Sequence, residues 1–185
     1  QGLERASMHY RINTGILFSM GKELSLENNQ AILQAAIEFG CRGPLKGAHG
    51  VVGLDMAGPE SLKRDTDTSW LREIAALMHK GREKGLKITY HVGETDHSGP
   101  DGMEKVLEWI APDRIGHGVA LRKAQGAQRD RICRLLRERR VCLELCPSVN
   151  VVTGSLKDYA EMAEFIRFLY AEEIPFCINT DNPYL

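Results

Sequence analysis

Short apolar runs alternate with amphipathic stretches along the chain, and their two periods predict its elements. Ile12–Ser19, Val51–Met56, Leu86–Tyr90, Arg114–Gly118, Val141–Cys146 and Pro175–Thr180 are brief and β-like. Between them lie segments with helical spacing: Leu26–Phe39, Ser69–Lys84, Gly102–Ile110, Gln128–Arg140 and Tyr159–Glu172. Ser25 stands where an N-cap would, and Gly40 and Gly85 stand where helices stop. The strands are too continuously apolar for one wet face, which predicts a parallel α/β sheet covered by helices. Right-handed crossovers wind such a sheet either open or into a barrel. No Gly-rich dinucleotide turn follows the first strand, which argues against a nucleotide-binding doubly wound sheet. The loop Gly43–Gly50 lies inside the repeating pattern, with no linker to divide the chain, so residues 1–185 read as one domain.

Composition narrows the function classes. With 24 Lys plus Arg against 25 Asp plus Glu, the formal charge is -1, which gives no field for collecting nucleic acid or anionic membrane. No apolar run reaches the roughly 18 residues of a membrane span. The five cysteines are odd in number and sit in apolar segments, which fits reduced thiols and a cytoplasmic protein. Cys142 and Cys146 read as small buried residues, and the Pro-Cys-x-x-Cys zinc signature of cytidine deaminases is absent.

The polar residues of interest cluster at one end of the strands. Gly58, His91 with Glu94, His117, Ser148 with Asn150, and Asp181 with Asn182 each follow a predicted strand. In a parallel barrel those carboxyl ends share one face, where barrel enzymes place their chemistry. Imidazole and carboxylate are good zinc ligands, and zinc lowers the pKa of bound water towards about 7. Asp55 reads as a turn cap, Ser148 and Asn150 as loop-shaping residues, and His9, His49, His79 and His97 as surface or satisfied polar groups.

Five ordered motifs carry a resemblance: Gly53-Leu-Asp-Met-Ala-Gly58, His91-Val-Gly-Glu94, Arg114-Ile-Gly-His117-Gly118, Glu144-Leu-Cys-Pro147-Ser148 and Asn179-Thr-Asp181-Asn182-Pro183. Together they resemble the adenosine deaminase family. The resemblance implies a metal-dependent (β/α)8 barrel that hydrolyses adenosine, or 2'-deoxyadenosine, to inosine and ammonia. Carried over by motif, it implies His91 and Asp181 as Zn²⁺ ligands and Glu94 as proton donor to purine N1. It implies that His117 orients and activates the attacking water, that the Gly58 backbone approaches the purine, and that Asn182 contacts it. Asn182 departs from the second Asp of many family members, exchanging a carboxylate for an amide that accepts and donates. Another 6-aminopurine (adenine, AMP or a modified nucleoside) is the alternative substrate, and a non-catalytic interaction role the alternative class.

The family's first strand carries a His-x-His ligand pair, and none occurs here; the six histidines are His9, His49, His79, His91, His97 and His117. By motif order Ile12–Ser19 corresponds to the family's third strand and Pro175–Thr180 to its eighth. The expectation is therefore an incomplete barrel with about six of eight strands, lacking the first strands and the closing helices. It would expose two parallel edges, with the missing strands supplied by the rest of a longer chain.

Overall fold

A computed structural model describes residues 5, 9–10, 14–40 and 50–182. Six strands form one open, all-parallel sheet in sequence order: β1 (Ile16–Gly21), β2 (Val51–Ala57), β3 (Lys87–Val92), β4 (Arg114–His117), β5 (Cys142–Leu145) and β6 (Phe176–Ile178). The helices are α1 (Leu26–Glu38), α2 (Thr68–Glu83), α3 (Gly99–Trp109), α4 (Gly126–Glu138), α5 (Pro147–Val152) and α6 (Tyr159–Ala171). Three caps are local in origin. Ser25 accepts from the Asn28 N–H, Asp67 from Ser69 and Trp70, and Asp158 from Glu161, each relieving an unpaired donor of a helical first turn.

The two faces of the sheet differ in chemistry. Leu54, Met56, Ile88, Tyr90, Ile115, Leu143 and Leu145 point to the helices and are buried with Leu71, Ile74, Met78, Val106, Leu107, Leu136 and Phe165. Alternate residues form the opposite face, and the register aligns them across strands: Asp55 with Thr89, Thr89 with Arg114, His91 with Gly116, Gly116 with Glu144, and Glu144 with Cys177. Arg114 Nε lies 3.1 Å from Glu144 Oε1 and donates to Thr89 Oγ1 at 3.1 Å. An ionic layer thus runs across the face that does not meet the helices.

The expected α/β alternation is present, with shifted boundaries. The first strand extends to Gly21 because backbone pairing with Ala57 continues past the apolar run; Ile12 and Asn13 lie outside the described residues. The last strand ends at Ile178, where its partner strand ends at Leu145. Helix α5 was not foreseen: Pro147 starts it at the position where a missing N–H costs nothing. Residues 43–49 of the expected loop, with Cys41 and His49, fall outside the described residues. The sheet is open, as expected for six strands, and β1 and β6 are its edges, with Ile16, Leu17 and Ile178 exposed.

Asp113 ties the amino ends of β3 and β4. It accepts from the Ile88 N–H at 2.9 Å and from Lys87 Nζ at 2.9 Å, with Arg82 at 4.0 Å. Burial alone would raise its pKa, but the Ile88 bond and the Lys87 and Arg82 charges outweigh it and hold the carboxyl below its ordinary value. A depressed carboxyl pKa stabilises the fold above the unfolded value, and the contribution fades as pH falls through the folded one. Asp113→Asn is expected to cost about 1–2 kcal/mol near neutrality. The gap between variant and wild type should narrow in urea titrations as pH falls below the ordinary Asp range of about 4. A gap that widens with acid would contradict this account.

Candidate active site

The carboxyl ends of β2, β3, β4 and β6 converge on an open pocket of about 470 Å³ lined by Gly58, His91, Glu94, His117 and Asp181, with Ala57, Pro59 to Ser61, Thr95 and His97 around them. Five of the six residues expected to form a site are therefore together. Asn182 instead lines a second groove of about 370 Å³ with Pro147, Ser148, Val149 and Ile178.

His91 is the last residue but one of β3, and its ring is fixed from two sides. Its Nδ1 lies 2.9 Å from Asp55 Oδ1. A carboxylate only accepts, so Nδ1 carries the hydrogen and the Nε2 lone pair is available for a ligand. Below the ring is Gly116, where an added Cβ would stand 2.6 Å from the His91 Cδ2 and 2.9 Å from its Nε2. The ring thus occupies the volume that any other residue at 116 would need. Burial draws the His91 pKa down, but the Asp55 hydrogen bond and charge, helped by Glu144 and Asp181, raise it overall.

His117 is 2% exposed and adopts φ +66°, with Gly118 at +69° after it. Asp181 also lies in the left-handed region, at φ +56°. Among the described residues four other non-glycine residues share that conformation, but Lys63, Ala111, Arg140 and Glu173 follow helical turns, where it is common. At a strand end the same conformation is strain, and such strain concentrates at functional sites. His117 Nε2 is 3.6 Å from Glu94 Oε2 and 3.7 Å from Asp181 Oδ2. The two imidazole rings are 5.4 Å apart. Burial, reinforced by the positive charge of His91, lowers the His117 pKa against the pull of Glu94 and Asp181. Two neighbouring imidazoles are thereby pushed in opposite directions.

Asp55 and Asn150 correct the sequence reading. Asp55 is no turn cap: it is a strand residue in β2 whose carboxylate reaches across the sheet to His91. The period of two put Asp55 on the His91 face and could have revealed it. Asn150, read as a loop-shaping residue, lies on α5 with Nδ2 3.1 Å from His117 Nδ1, while its Oδ1 is buried without a partner among the described residues. Turning that near-symmetric amide end for end would pair Oδ1 with an Nδ1–H and leave Nε2 of His117 as an acceptor facing the pocket. Only the fold could show this pair, because α5 was not expected.

The donor set suits zinc. Nδ1 of His91 is held by a carboxylate, an arrangement that orients metal-binding imidazoles, and Asp181 adds a carboxylate in the same pocket. His117, Cys146 and Asp181 also place ligand atoms within 4.8 Å of one another. Burial, with Asp181 and Glu144 nearby, pushes the Cys146 thiol up to about 12. Cys142 is likewise raised, to about 11, by burial and by Cys177. His79 and His97 are exposed, as expected of surface residues. Among the described residues no helix is long and apolar enough to cross a membrane.

The sequence and the fold have counterparts in known proteins. An adenosine deaminase of Clostridium perfringens is 25% identical over 182 residues, covering 98% of this chain and 48% of that protein. A zinc-bound amidohydrolase from Burkholderia ambifaria superposes with a TM-score of 0.72 at 18% identity, covering 98% of this chain and 45% of the other. The N6-methyl-AMP deaminase of Arabidopsis thaliana gives 0.66 at 24% identity, over 90% and 42%. The chain spans about half the length of the curated relatives it matches, and the fold it shares with them is part of a TIM-type barrel. The family model described as adenosine deaminase matches residues 12–185. With the strand-end motifs and the sheet both accounted for, the chain belongs to the adenosine deaminase family.

Proposed function

We propose that this protein takes part in the zinc-dependent hydrolytic deamination of adenosine, or 2'-deoxyadenosine, to inosine and ammonia. Residues 1–185 are read as one partial barrel domain, with the strands that cover the β1 and β6 edges contributed from outside it. The observation that carries the reading is the meeting of His91, Glu94, His117 and Asp181 in one pocket, from three separate strand ends.

In this reading His91 Nε2 and Asp181 hold the metal, and Asp55 keeps His91 in the tautomer that can do so. When bound, zinc supplies Lewis-acid charge that lowers the pKa of water at the site. His117 orients the attacking water and takes its proton at Nε2, and burial favours the neutral imidazole this requires. Glu94 donates a proton to purine N1, which draws electrons from C6 and opens it to attack. Water oxygen bonds to C6 as one of its protons passes to His117; the C6–N bond then breaks, that proton converts the departing amino group to ammonia, and the remaining hydroxyl proton returns to Glu94 as the C6 carbonyl forms. Gly58, at φ +122°, has no side chain to hold the purine away from the backbone; a Cβ there would stand 2.2 Å from Glu23 Oε2. Asn182 contributes an amide to the purine from the adjoining groove.

The Glu94 and Asp181 carboxylates line the pocket, and a phosphate monoester, dianionic near neutrality, would be repelled beside them, which supports a nucleoside as the substrate. The test is a deamination assay of the full-length gene product, with added zinc, on adenosine, 2'-deoxyadenosine, adenine, AMP and N6-methyl-AMP. The expected outcome is turnover of the two nucleosides at least tenfold above the nucleotides. Activity confined to AMP or N6-methyl-AMP would displace the nucleoside reading.

A further inference from the structure

The most occupied acidic residue of the pocket has no part in the reaction described above. Glu60 opens a short helical turn after β2 and is only 6% exposed. Its Oε1 accepts from the Glu94 N–H at 3.0 Å. Its Oε2 accepts from the Thr95 N–H at 2.8 Å and from the Thr95 hydroxyl at 2.5 Å. Three donors, two of them backbone, therefore converge on one buried carboxylate. Bonds of this kind are charge-assisted and shorter than neutral ones.

Those donors belong to the segment that leaves β3 carrying Glu94. The same segment is anchored again four residues later, where the Ser98 hydroxyl donates to Asp65 instead of capping α3. Asp65 is itself fully buried, bonded to Lys22 Nζ at 2.7 Å and to the Tyr90 hydroxyl at 2.9 Å. Just before the first anchor the chain passes through Gly93, at φ +71°, so the glycine alone would leave residue 94 freer to swing. Glu60 removes that freedom at the residue itself. Both of its oxygens are engaged by the loop, so it does not serve as an acid or base towards a bound purine.

We infer that Glu60 is a positioning residue: its buried carboxylate clamps the Glu94 and Thr95 amides and thereby aims the Glu94 carboxyl at the substrate ring. The inference rests on the role proposed for Glu94 and adds the group that fixes it. Hydrogen bonds that preorganise an acid act on the transition state, where a displacement of about 1 Å costs about 10²-fold in rate.

The test uses Glu60→Gln, which keeps the size of the side chain but replaces one acceptor oxygen by an amide that opposes an N–H donor. In the full-length protein kcat is expected to fall about 10–100-fold with KM within about threefold. In a Glu94→Gln background the same change should cost less than about twofold, because the group being aimed is already disabled. Amide hydrogen exchange at Glu94 and Thr95 should quicken at least about tenfold in Glu60→Gln, with Ile115 in β4 unaffected. Unchanged kcat, or an equal loss with and without the Glu94 carboxyl, overturns the inference. Should Glu60→Gln fail to fold, Thr95→Val removes the hydroxyl bond to Glu60, together with the 3.3 Å bond that hydroxyl accepts from the His97 N–H, and leaves both amide bonds to Glu60; a fall of about 3–10-fold in kcat is expected, and no fall overturns the inference. If the wild-type protein deaminates no 6-aminopurine, the functional proposal fails on its own. The clamp is then judged by exchange alone: unaltered protection at residues 94 and 95 refutes it, and lost protection upholds it.

Discussion

Glu94→Gln is expected to lower kcat on adenosine by about 10²–10⁴-fold, with KM changed by less than about threefold. The substitution is isosteric, so it preserves the pocket and the Glu60 bonds, which are made by the residue 94 backbone. What it removes is a transferable proton. A purine C6 is a poor electrophile until N1 is protonated or strongly hydrogen-bonded, and an amide N–H offers only the second. The carboxyl stands 3.6 Å from His117 Nε2, so the proposed acid and base flank the same space. Steady-state kinetics of the purified variant decide the matter. Activity within tenfold of wild type would assign the N1 proton to another group and remove Glu94 from the mechanism.

Gly116→Ala is expected to weaken zinc binding by at least about 10–100-fold, although residue 116 is not itself a ligand. The new methyl would overlap the His91 ring, with three ring atoms within 2.9 Å of its ideal position. Residue 116 is paired with His91 across β3 and β4, so neither backbone can easily withdraw. The ring must turn about its side-chain bonds, which breaks the Nδ1 bond to Asp55 and misdirects Nε2. Overpacking of this kind also costs about 1–3 kcal/mol of stability. Chelator competition measures the affinity, and urea unfolding of the metal-free protein separates the two effects. Wild-type zinc affinity in a folded Gly116→Ala protein would show that the ring is not seated as described. Asp55→Asn tests the same ring from its other side, with a loss of similar size expected.

Much of the site was legible in the sequence because parallel α/β order is itself a positional code. Each strand ends where its apolar run gives way to polar residues, and all parallel strands end on one face. His91, Glu94, His117 and Asp181 could therefore be assigned to one pocket without coordinates, and the ordered motifs supplied proposed roles. What the one-dimensional pattern obscured was lateral. Asp55 and Gly116 lie on strands neighbouring β3 at residues facing His91, and register between strands is written in pairing that spans about 25–36 residues of chain. Glu60 and Asn150 lie on short helical turns whose direction depends on what they pack against. Their partners, the Glu94 amide and the His117 ring, are 34 and 33 residues away.

By itself, the sequence determined the alternation of strands and helices, the end of the sheet where the candidate site residues gather, and membership of a family. These follow from periodicity, from capping and from residue order, all of which are local or ordinal. Tertiary structure alone decided how the reactive groups are held: a ring seated over a glycine and tied to Asp55, a histidine faced by a buried amide, and an acid whose backbone is gripped by Glu60. Each depends on distances between elements remote in the chain. Hydrogen bonds become strong enough to orient a side chain only where packing has excluded competing water, and no run of letters records where that happens.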